Sequence, residues 1–346
     1  AAVINTLIGN EGDSGDKVNL DADYDITVNS GTASVSLANT FAAATGGTVT
    51  AEITETDAAT LATLNETTNA YTITVGDSTV TAANLNTIDG ATTVQVTATA
   101  VTTISGAAAD LNTVLTASGI AGLGAEAVTV TDSAVTAAVL NTLNGNTTGL
   151  VTATGVTAIT GTIAQINTLV GNEGDSGDKV NLDTDYTATI TDTSTTAALL
   201  NTVNGNVPGL VTATSVTTIS GTAAALNTLM GNEGDSGNKV NLDGDFTVTV
   251  DAGSVAAAHL NAINLKTTGL ITATAATALT GTAAQINTLV GNEGDSGDKV
   301  DLDADYTATI TDTDLSATVL NDLNTNVPGL IDATSITNIT GTAAAI

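Results

Sequence analysis

The chain has 346 residues, of which 36 are acidic and only five are basic, so its formal net charge is −31. Nucleic acid and anionic membranes are not expected as partners, because both would repel such a chain. Aromatic residues make up 2% of the chain and Cys and Trp are absent, which excludes a disulfide framework, thiol chemistry and a core of large side chains. No run approaches the ~18 uninterrupted apolar residues of a membrane span, so membrane insertion is not expected.

A short phrase, L-N-T or a close variant, recurs along the whole chain. Its asparagines are Asn5, Asn39, Asn65, Asn86, Asn112, Asn141, Asn167, Asn201, Asn227, Asn261, Asn287 and Asn321. Every second spacing is 26 residues, and the others are 34, 21, 29, 34, 34 and 34. Self-similarity at a fixed period indicates a repeat architecture, and the larger period here is usually 60 residues.

An acidic insertion, GNEGDSGDKVNLDADY, follows the first phrase at Gly9–Tyr24. Nearly identical insertions occupy Gly171–Tyr186, Gly231–Phe246 and Gly291–Tyr306. Ca²⁺ takes six to eight oxygen ligands, and a tight turn rich in carboxylates could supply part of that number. The candidate Ca²⁺ ligands are Glu11, Asp13, Asp16, Asp21, Asp23, Glu173, Asp175, Asp178, Asp183, Asp185, Glu233, Asp235, Asp243, Asp245, Glu293, Asp295, Asp298, Asp303 and Asp305.

The insertions also allow a reading without metal. The ninth residue of each is a lysine: Lys17, Lys179, Lys239 and Lys299. Each lysine could form an ion pair with a neighbouring aspartate and leave the loop neutralised and solvated. Neither the EF-hand pattern nor the calcium nonapeptide occurs in the chain, so both alternatives stay open.

Residues 40–127 carry the irregular spacings and lack the acidic insertion. A solenoid enzyme would place its cleft at such an interruption, but this stretch holds no Lys, Arg or His. The single histidine, His259, falls in a predicted helical turn, where a surface position is expected. Arginine is absent and no catalytic-triad, phosphate-loop or zinc-ligand spacing occurs, so the sequence does not predict an enzyme.

The residue pattern within each coil of 26 or about 34 residues predicts one strand and one short helix. In the shorter coil Val211–Thr214 alternates as a strand, and TAAALNTL reads as one or two helical turns opened by Thr222. In the longer coil the predicted strand is Tyr186–Thr193. A unit of this size cannot bury its own apolar face, so successive units must stack. The sequence therefore predicts one right-handed repeat solenoid of about twelve coils through residues 1–346, with a parallel β-sheet and leucine-rich-repeat-like helical turns.

The repeated asparagine has two possible roles. A side chain with both a donor and an acceptor can satisfy backbone groups of its own coil and of the next, and stacked copies would form a ladder. The alternative is that each asparagine merely ends or caps its short helix. Threonines that alternate along the strands predict rows on the outer face of the sheet, either as ordinary β-formers or as a surface that could meet ice. They are Thr187, Thr189, Thr191, Thr247, Thr249, Thr307, Thr309 and Thr311.

Two stretches, Val101–Gly124 and Ala125–Gly145, read VTTISGAAADLNTVLTASGIAGLG and AEAVTVTDSAVTAAVLNTLNG. They resemble the very large repetitive surface proteins of marine bacteria, particularly cyanobacteria. The resemblance implies an extracellular matrix, surface-layer, filament or adhesin role and identifies no site. The period also looks like that of a leucine-rich repeat, but the L-x-x-L-x-L-x-x-N phrase is missing.

These observations predict an extracellular structural rod or fibre segment at the cell surface. Calcium bound to the acidic loops could stabilise it. The closing GTAAAI puts Ile346 in the register of Ile4, which indicates end-to-end stacking of copies or continuation in a longer chain. The alternative is an adhesin or ligand-binding module that grips glycan, ice or a partner surface through threonine rows and acidic loops.

Overall fold

The computed structural model describes residues 1–342, so the predicted register of Ile346 lies outside the described residues. The chain forms two compact units. The first comprises Ala1–Thr157 and Gly171–Thr184, and the second comprises Ala158–Val170 and the chain from Asp185 onward.

Short helices and strands alternate throughout the described chain. Helices α1 to α12 are Ala2–Gly9, Val35–Ala44, Ala58–Leu61, Ala82–Gly90, Ala108–Thr116, Ala137–Asn146, Ile163–Gly171, Ala197–Asn206, Ala223–Asn232, Ala257–Asn264, Ala283–Gly291 and Ala317–Asn326. Strands β1 to β13 are Ile26–Ala33, Val49–Ile53, Ala70–Thr72, Thr79–Thr81, Val96–Thr97, Thr103–Gly106, Ile120–Ala121, Ala127–Val130, Ala134–Thr136, Val151–Ala153, Ala158–Gly161, Val180–Leu182 and Thr187–Ile190. Strands β14 to β26 are Ser194–Thr196, Val211–Ala213, Thr218–Gly221, Val240–Leu242, Thr247–Val250, Ser254–Ala256, Ile271–Ala273, Ala278–Gly281, Val300–Leu302, Thr307–Ile310, Asp314–Ser316, Ile331–Asp332 and Asn338–Thr340. The helices in residues 1–342 have at most ten residues, and none could cross a membrane.

Parallel sheets make up both units. In the first, the strand orders are β1-β2-β3, β4-β6-β8-β10-β12 and β5-β7. In the second, they are β14-β16-β18-β20-β22, β19-β21-β23-β25 and β24-β26, together with the run β11-β13-β15-β17. The pairs described in these sheets are parallel. This architecture confirms the predicted repeat solenoid of parallel strands and short helices.

The coils contain more strands than the sequence predicted. A short coil holds two strands, β15 and β16, and a long coil holds three, β17, β18 and β19. At the corner after β15, the Val216 N–H donates to Ala213 O across 3.0 Å. The threonine-rich run through this corner contains no Gly or Pro to mark it, so the pattern showed a single strand.

Strand partners in the second unit are closer in sequence than the repeat period. Thr218 pairs with Ser194 and with Thr247, and Ile271 pairs with Val248 and with Val300, so successive turns take 24, 29, 23 and 29 residues. Two turns thus cover 52 or 53 residues, whereas the sequence repeats every 60. Strands one 60-residue repeat apart, such as β14 and β19 or β16 and β21, therefore lie in different sheets. Each repeat is shifted along the coil path by about one strand.

A small apolar face holds each helix to the interior. In α8, Ala197, Leu200 and Val203 are fully buried, and in α9 the corresponding positions are also apolar. The N-terminus of α9 is capped by Thr222, whose Oγ1 accepts from the Ala225 N–H at 3.2 Å, as predicted. The exposed Thr202 is accommodated in α8 because its Oγ1 donates to Ala198 O at 2.9 Å.

The asparagine ladder exists in alternate helices. Asn201 Nδ2 donates to Ala225 O of the next helix at 2.9 Å, and Asn261 Nδ2 donates to Gln285 O at 2.9 Å. Asn86 makes the same bond to Asp110 O at 3.1 Å in the first unit. These bonds confirm the predicted contact with the next coil, but Asn201 Oδ1 and Asn261 Oδ1 accept no hydrogen bond from residues 1–342, so the predicted contact with their own coil is not formed there.

A second kind of bond joins the coils, and no local sequence pattern predicted it. An aspartate that follows a strand reaches back to the previous coil and accepts from the first N–H of its helix. Asp132 Oδ2 accepts from Ala108 N at 2.7 Å, Asp192 Oδ2 from Ile163 N at 2.8 Å and Asp312 Oδ2 from Ala283 N at 2.7 Å. The carboxylate satisfies an otherwise unpaired donor at the positive end of the helix dipole. In the coil above α9 the same position is Ala252.

Removing one of these carboxylates should weaken the stack, and adding one should strengthen it. We expect Asp312→Ala to lower the free energy of unfolding by about 1 kcal/mol, the usual size of a lost helix cap. We expect Ala252→Asp to raise it by up to about 1 kcal/mol, because it supplies the missing acceptor to α9. Urea unfolding followed by circular dichroism measures both changes. Equal stability of the three proteins would contradict the role given to these aspartates.

Candidate functional site: the acidic loops

Each acidic insertion begins as a closed loop at the end of a helix. In the third copy, after α9, Gly234 N–H donates to Val240 O at 3.1 Å and Lys239 N–H donates to Gly237 O at 2.9 Å. Gly237 has φ +68° at the tip, a backbone conformation that other residues rarely adopt. The equivalent bonds recur in the fourth copy after α11. The sequence G-D-S-G thus builds the turn, with Gly237 at the position that requires a glycine.

The loop lysines bind backbone in two of the copies. Lys17 Nζ donates to Gly9 O at 3.1 Å, and Lys239 Nζ donates to Gly231 O at 3.2 Å. The aliphatic part of Lys239 covers Gly234, where an added Cβ would lie 3.3 Å from Lys239 Cγ. A cation on the carbonyls at a helix C-terminus is favoured by the helix dipole. In these copies the lysine therefore neutralises the helix end, which differs from the aspartate pairing considered above.

In two of the copies, the loop glutamate binds a side chain outside the turn. In the first, Tyr24 Oη donates to Glu11 Oε2 at 3.1 Å. In the third, the aromatic residue is Phe246, which has no hydroxyl, and Lys266 Nζ pairs with Glu233 Oε2 at 2.9 Å instead. Glu11 and Glu233 thus serve as anchors between loop and coil.

The fourth copy lacks that anchor in the described chain. Tyr306 is fully buried, and no protein group in residues 1–342 lies within hydrogen-bonding distance of its hydroxyl. Burial raises the pKa of Tyr306 to about 12, and the charge of Glu293 adds to this rise. Burial also raises the pKa of Tyr24, with smaller contributions from the hydrogen bond to Glu11 and from its charge. The glutamate charge thus acts on the tyrosine in both copies, but only Tyr24 forms the hydrogen bond.

The loop aspartates point to solvent. Those exposed in the structure are Asp13, Asp16, Asp21, Asp23, Asp175, Asp178, Asp185, Asp235, Asp243, Asp245, Asp295, Asp298 and Asp305. Asp305 N–H donates to Asp303 Oδ1 at 3.0 Å. The hydrogen bond between the two carboxyl groups lowers the pKa of Asp303 and raises that of Asp305. Within residues 1–342, no three acidic or histidine side chains converge as a group that could hold a metal ion.

Successive loops in the second unit occupy different sheets. Strand β17, inside the third insertion, ends the run β11-β13-β15-β17, whereas β22, inside the fourth, ends the sheet β14-β16-β18-β20-β22. This follows from the shift of each repeat by about one strand. The carboxylates of these two loops therefore do not stand in one column above each other.

The same shift divides the predicted threonine rows. Thr189 continues through Thr212 to Asn241 on one sheet, and Thr309 continues to Asp332 on another. The longest row in the second unit lies between them and consists of Thr196, Ser220, Thr249, Thr272 and Asp301. Hydroxylated rows thus exist within single sheets, while Thr191 and Thr311 lie outside the strands.

His259 lies beside a cavity. With Asp251, Thr222, Ser254 and Thr280 it lines a space of about 410 Å³ next to the N-terminus of α9. The space lies where Ala252 replaces the aspartate that caps other helices. His259 is partly exposed, in keeping with the surface position expected from its sequence context.

No protein-family model, curated protein sequence or solved structure matches this chain. The functional interpretation therefore rests on the residues and geometry described above.

The anchor of Glu233 can be tested by exchanging partners between repeats. Phe246→Tyr offers Glu233 the hydroxyl found in the first copy, and Lys266→Asn installs the residue found in the coils that follow Tyr186 and Tyr306. We expect Lys266→Asn to lower the free energy of unfolding by about 0.5 kcal/mol, and by less in the Phe246→Tyr background. A double-mutant cycle in urea measures this difference. Strictly additive effects would show that tyrosine and lysine do not serve the same glutamate.

Proposed function

We propose that this chain is a structural segment of an extracellular surface fibre or matrix. The observation that carries the proposal is the repetition of bonds between coils. A parallel strand ladder, asparagine bonds to the next helix and aspartate bonds to the previous helix recur along the chain. Such a stack distributes its stabilising contacts along its length, as a load-bearing element requires.

Assembly by stacking is the second part of the proposal. Ile339 in β26 is 50% exposed, whereas its counterpart Ile219 in β16 is fully buried beneath the next coil. Leu330 is 75% exposed. A second copy stacked end to end, with a coil of the same repeat against this one, would bury these side chains. Burial of apolar surface would then favour end-to-end extension.

Calcium stabilisation is the third part. The exposed loop aspartates are oxygen ligands of the type that Ca²⁺ prefers, and Gly237 lets the loop fold back on itself. A cation would have to draw three or more acidic side chains of the loop together, since no such group converges in residues 1–342. Glu11 and Glu233 would contribute only after leaving Tyr24 and Lys266.

A binding module is the alternative function, and the threonine rows favour it. The row from Thr196 to Thr272 presents hydroxyl groups at the regular spacing of parallel strands. Thr218 Oγ1 and Thr247 Oγ1 lie 3.2 Å apart in the neighbouring row. Ordered hydroxyls of this kind could contact glycan, ice or a partner surface.

A calcium titration separates the structural readings. Ca²⁺ added to EDTA-treated protein at constant ionic strength should raise the melting temperature saturably and increase light scattering through assembly. A ligand at about 100 times its dissociation constant stabilises by about 2.7 kcal/mol per site, which is readily detected. Asp295→Asn combined with Asp298→Asn should reduce the response, and Asp110→Asn, outside the insertions, should not.

Three outcomes discriminate between the proposals. A response no larger than that to Mg²⁺ or Na⁺ would contradict calcium binding and leave solvated loops. Filaments in electron micrographs would support the fibre. Monomeric protein with saturable binding to glycan or ice would instead support the binding module.

A further inference from the structure

A second asparagine accompanies the ladder asparagine in α8 and in α10. Asn201 and Asn204 are three residues apart in α8, and Asn261 and Asn264 are three apart in α10. Residues at this spacing lie on the same helix face. Asn204 is only 7% exposed. In residues 1–342, no protein group donates a hydrogen bond to the buried Oδ1 atoms of these four asparagines.

The orientation of the first amide in each pair is fixed by its other end. Asn201 Nδ2 donates to Ala225 O, and Asn261 Nδ2 donates to Gln285 O, both at 2.9 Å. Turning either amide around would place two oxygen atoms in contact. The Oδ1 atoms of Asn201 and Asn261 are therefore acceptors that face away from the next helix and still need a donor.

Helix α12 shows where a pair of this kind points. Its equivalent residues, Asn321 and Asn324, line one cavity of about 270 Å³ together with Leu320, Ile331 and Ala333. The cavity lies between the helix and β25, the strand that follows it. Both amides of the pair in α12 thus border the same space.

The number and type of acceptor atoms determine whether water or a cation fits between the two asparagines. Buried carbonyl oxygens without a protein donor are commonly satisfied by internal water, which makes two to four hydrogen bonds. A water molecule carries two donor protons, which matches two acceptors. A hard cation requires about six oxygens and loses much hydration energy on burial, so two neutral amide oxygens suit it poorly.

We propose that an ordered water molecule bridges Asn201 Oδ1 and Asn204 Oδ1, and that another bridges Asn261 Oδ1 and Asn264 Oδ1. Helices α9 and α11 have the apolar residues Met230 and Val290 at the position of the second asparagine. They therefore lack the second acceptor. The bridging waters therefore occur at α8 and α10, the helices of the longer coils, and not at α9 and α11.

A crystal structure of the whole chain, with data from crystals soaked in RbCl, tests the site directly. We expect a density peak at about 2.7–3.2 Å from both Oδ1 atoms of each pair, with no anomalous signal from rubidium. An anomalous peak would show that a monovalent cation occupies the site in place of water, and it would overturn the proposal. A direct hydrogen bond from Asn204 Nδ2 to Asn201 Oδ1 would also overturn the proposal.

A solution measurement uses the residue that the chain itself places in α9. Asn204→Met copies Met230 and removes one acceptor, so the nuclear Overhauser effect between internal water and the Asn201 side-chain amide should be lost. Met230→Leu is the matched control and should keep it. If Asn204→Met does not fold, the effect in the unaltered protein decides the question, and its absence there would contradict the proposal.

Discussion

A coil of this chain cannot bury its own apolar face, and every other feature of the fold depends on that constraint. Leu200 and Val203 are fully buried only because neighbouring coils cover them. Backbone groups likewise find partners across coils, as Thr218 does with Ser194 and Thr247. Small aliphatic side chains fit the thin layers, which explains why large aromatics are nearly absent. Stability is thus a property of adjacent coils and not of any one of them.

The difference between the structural turn and the sequence repeat shapes the surface. Because two turns take 52 or 53 residues and the repeat takes 60, identical loops and identical threonines move from one sheet to the next. The third and fourth acidic loops consequently end different sheets. This separation spreads the negative charge of a chain with only five basic residues. Lys239 and Lys266 serve the same end locally, one on a helix terminus and one on Glu233.

Much of the architecture follows from the sequence, since period, parallel strands, short helices and the cap at Thr222 are all local signals. The ladder role of Asn201 was also predictable from its repetition. The extra strand in each coil was not, because β-branched residues continue through the corner after Ala213. The caps made by Asp312 and its equivalents join residues 24 to 29 positions apart, and only the register reveals them. The partners of Glu11 and Glu233 were missed for the same reason, although the exchange of Tyr for Phe246 was a visible signal.

Disulfide trapping tests the stacking register most directly, because the chain contains no native cysteine. Thr218 and Thr247 are register partners in adjacent strands. If like strands stacked on like, Thr218 would instead face Ser254, since β16 and β19 each lead into a helix. We expect Thr218→Cys with Thr247→Cys to form an intramolecular disulfide under mild oxidation, as detected by mass spectrometry. Efficient cross-linking of Thr218→Cys with Ser254→Cys, and none between the first pair, would contradict the shifted stack.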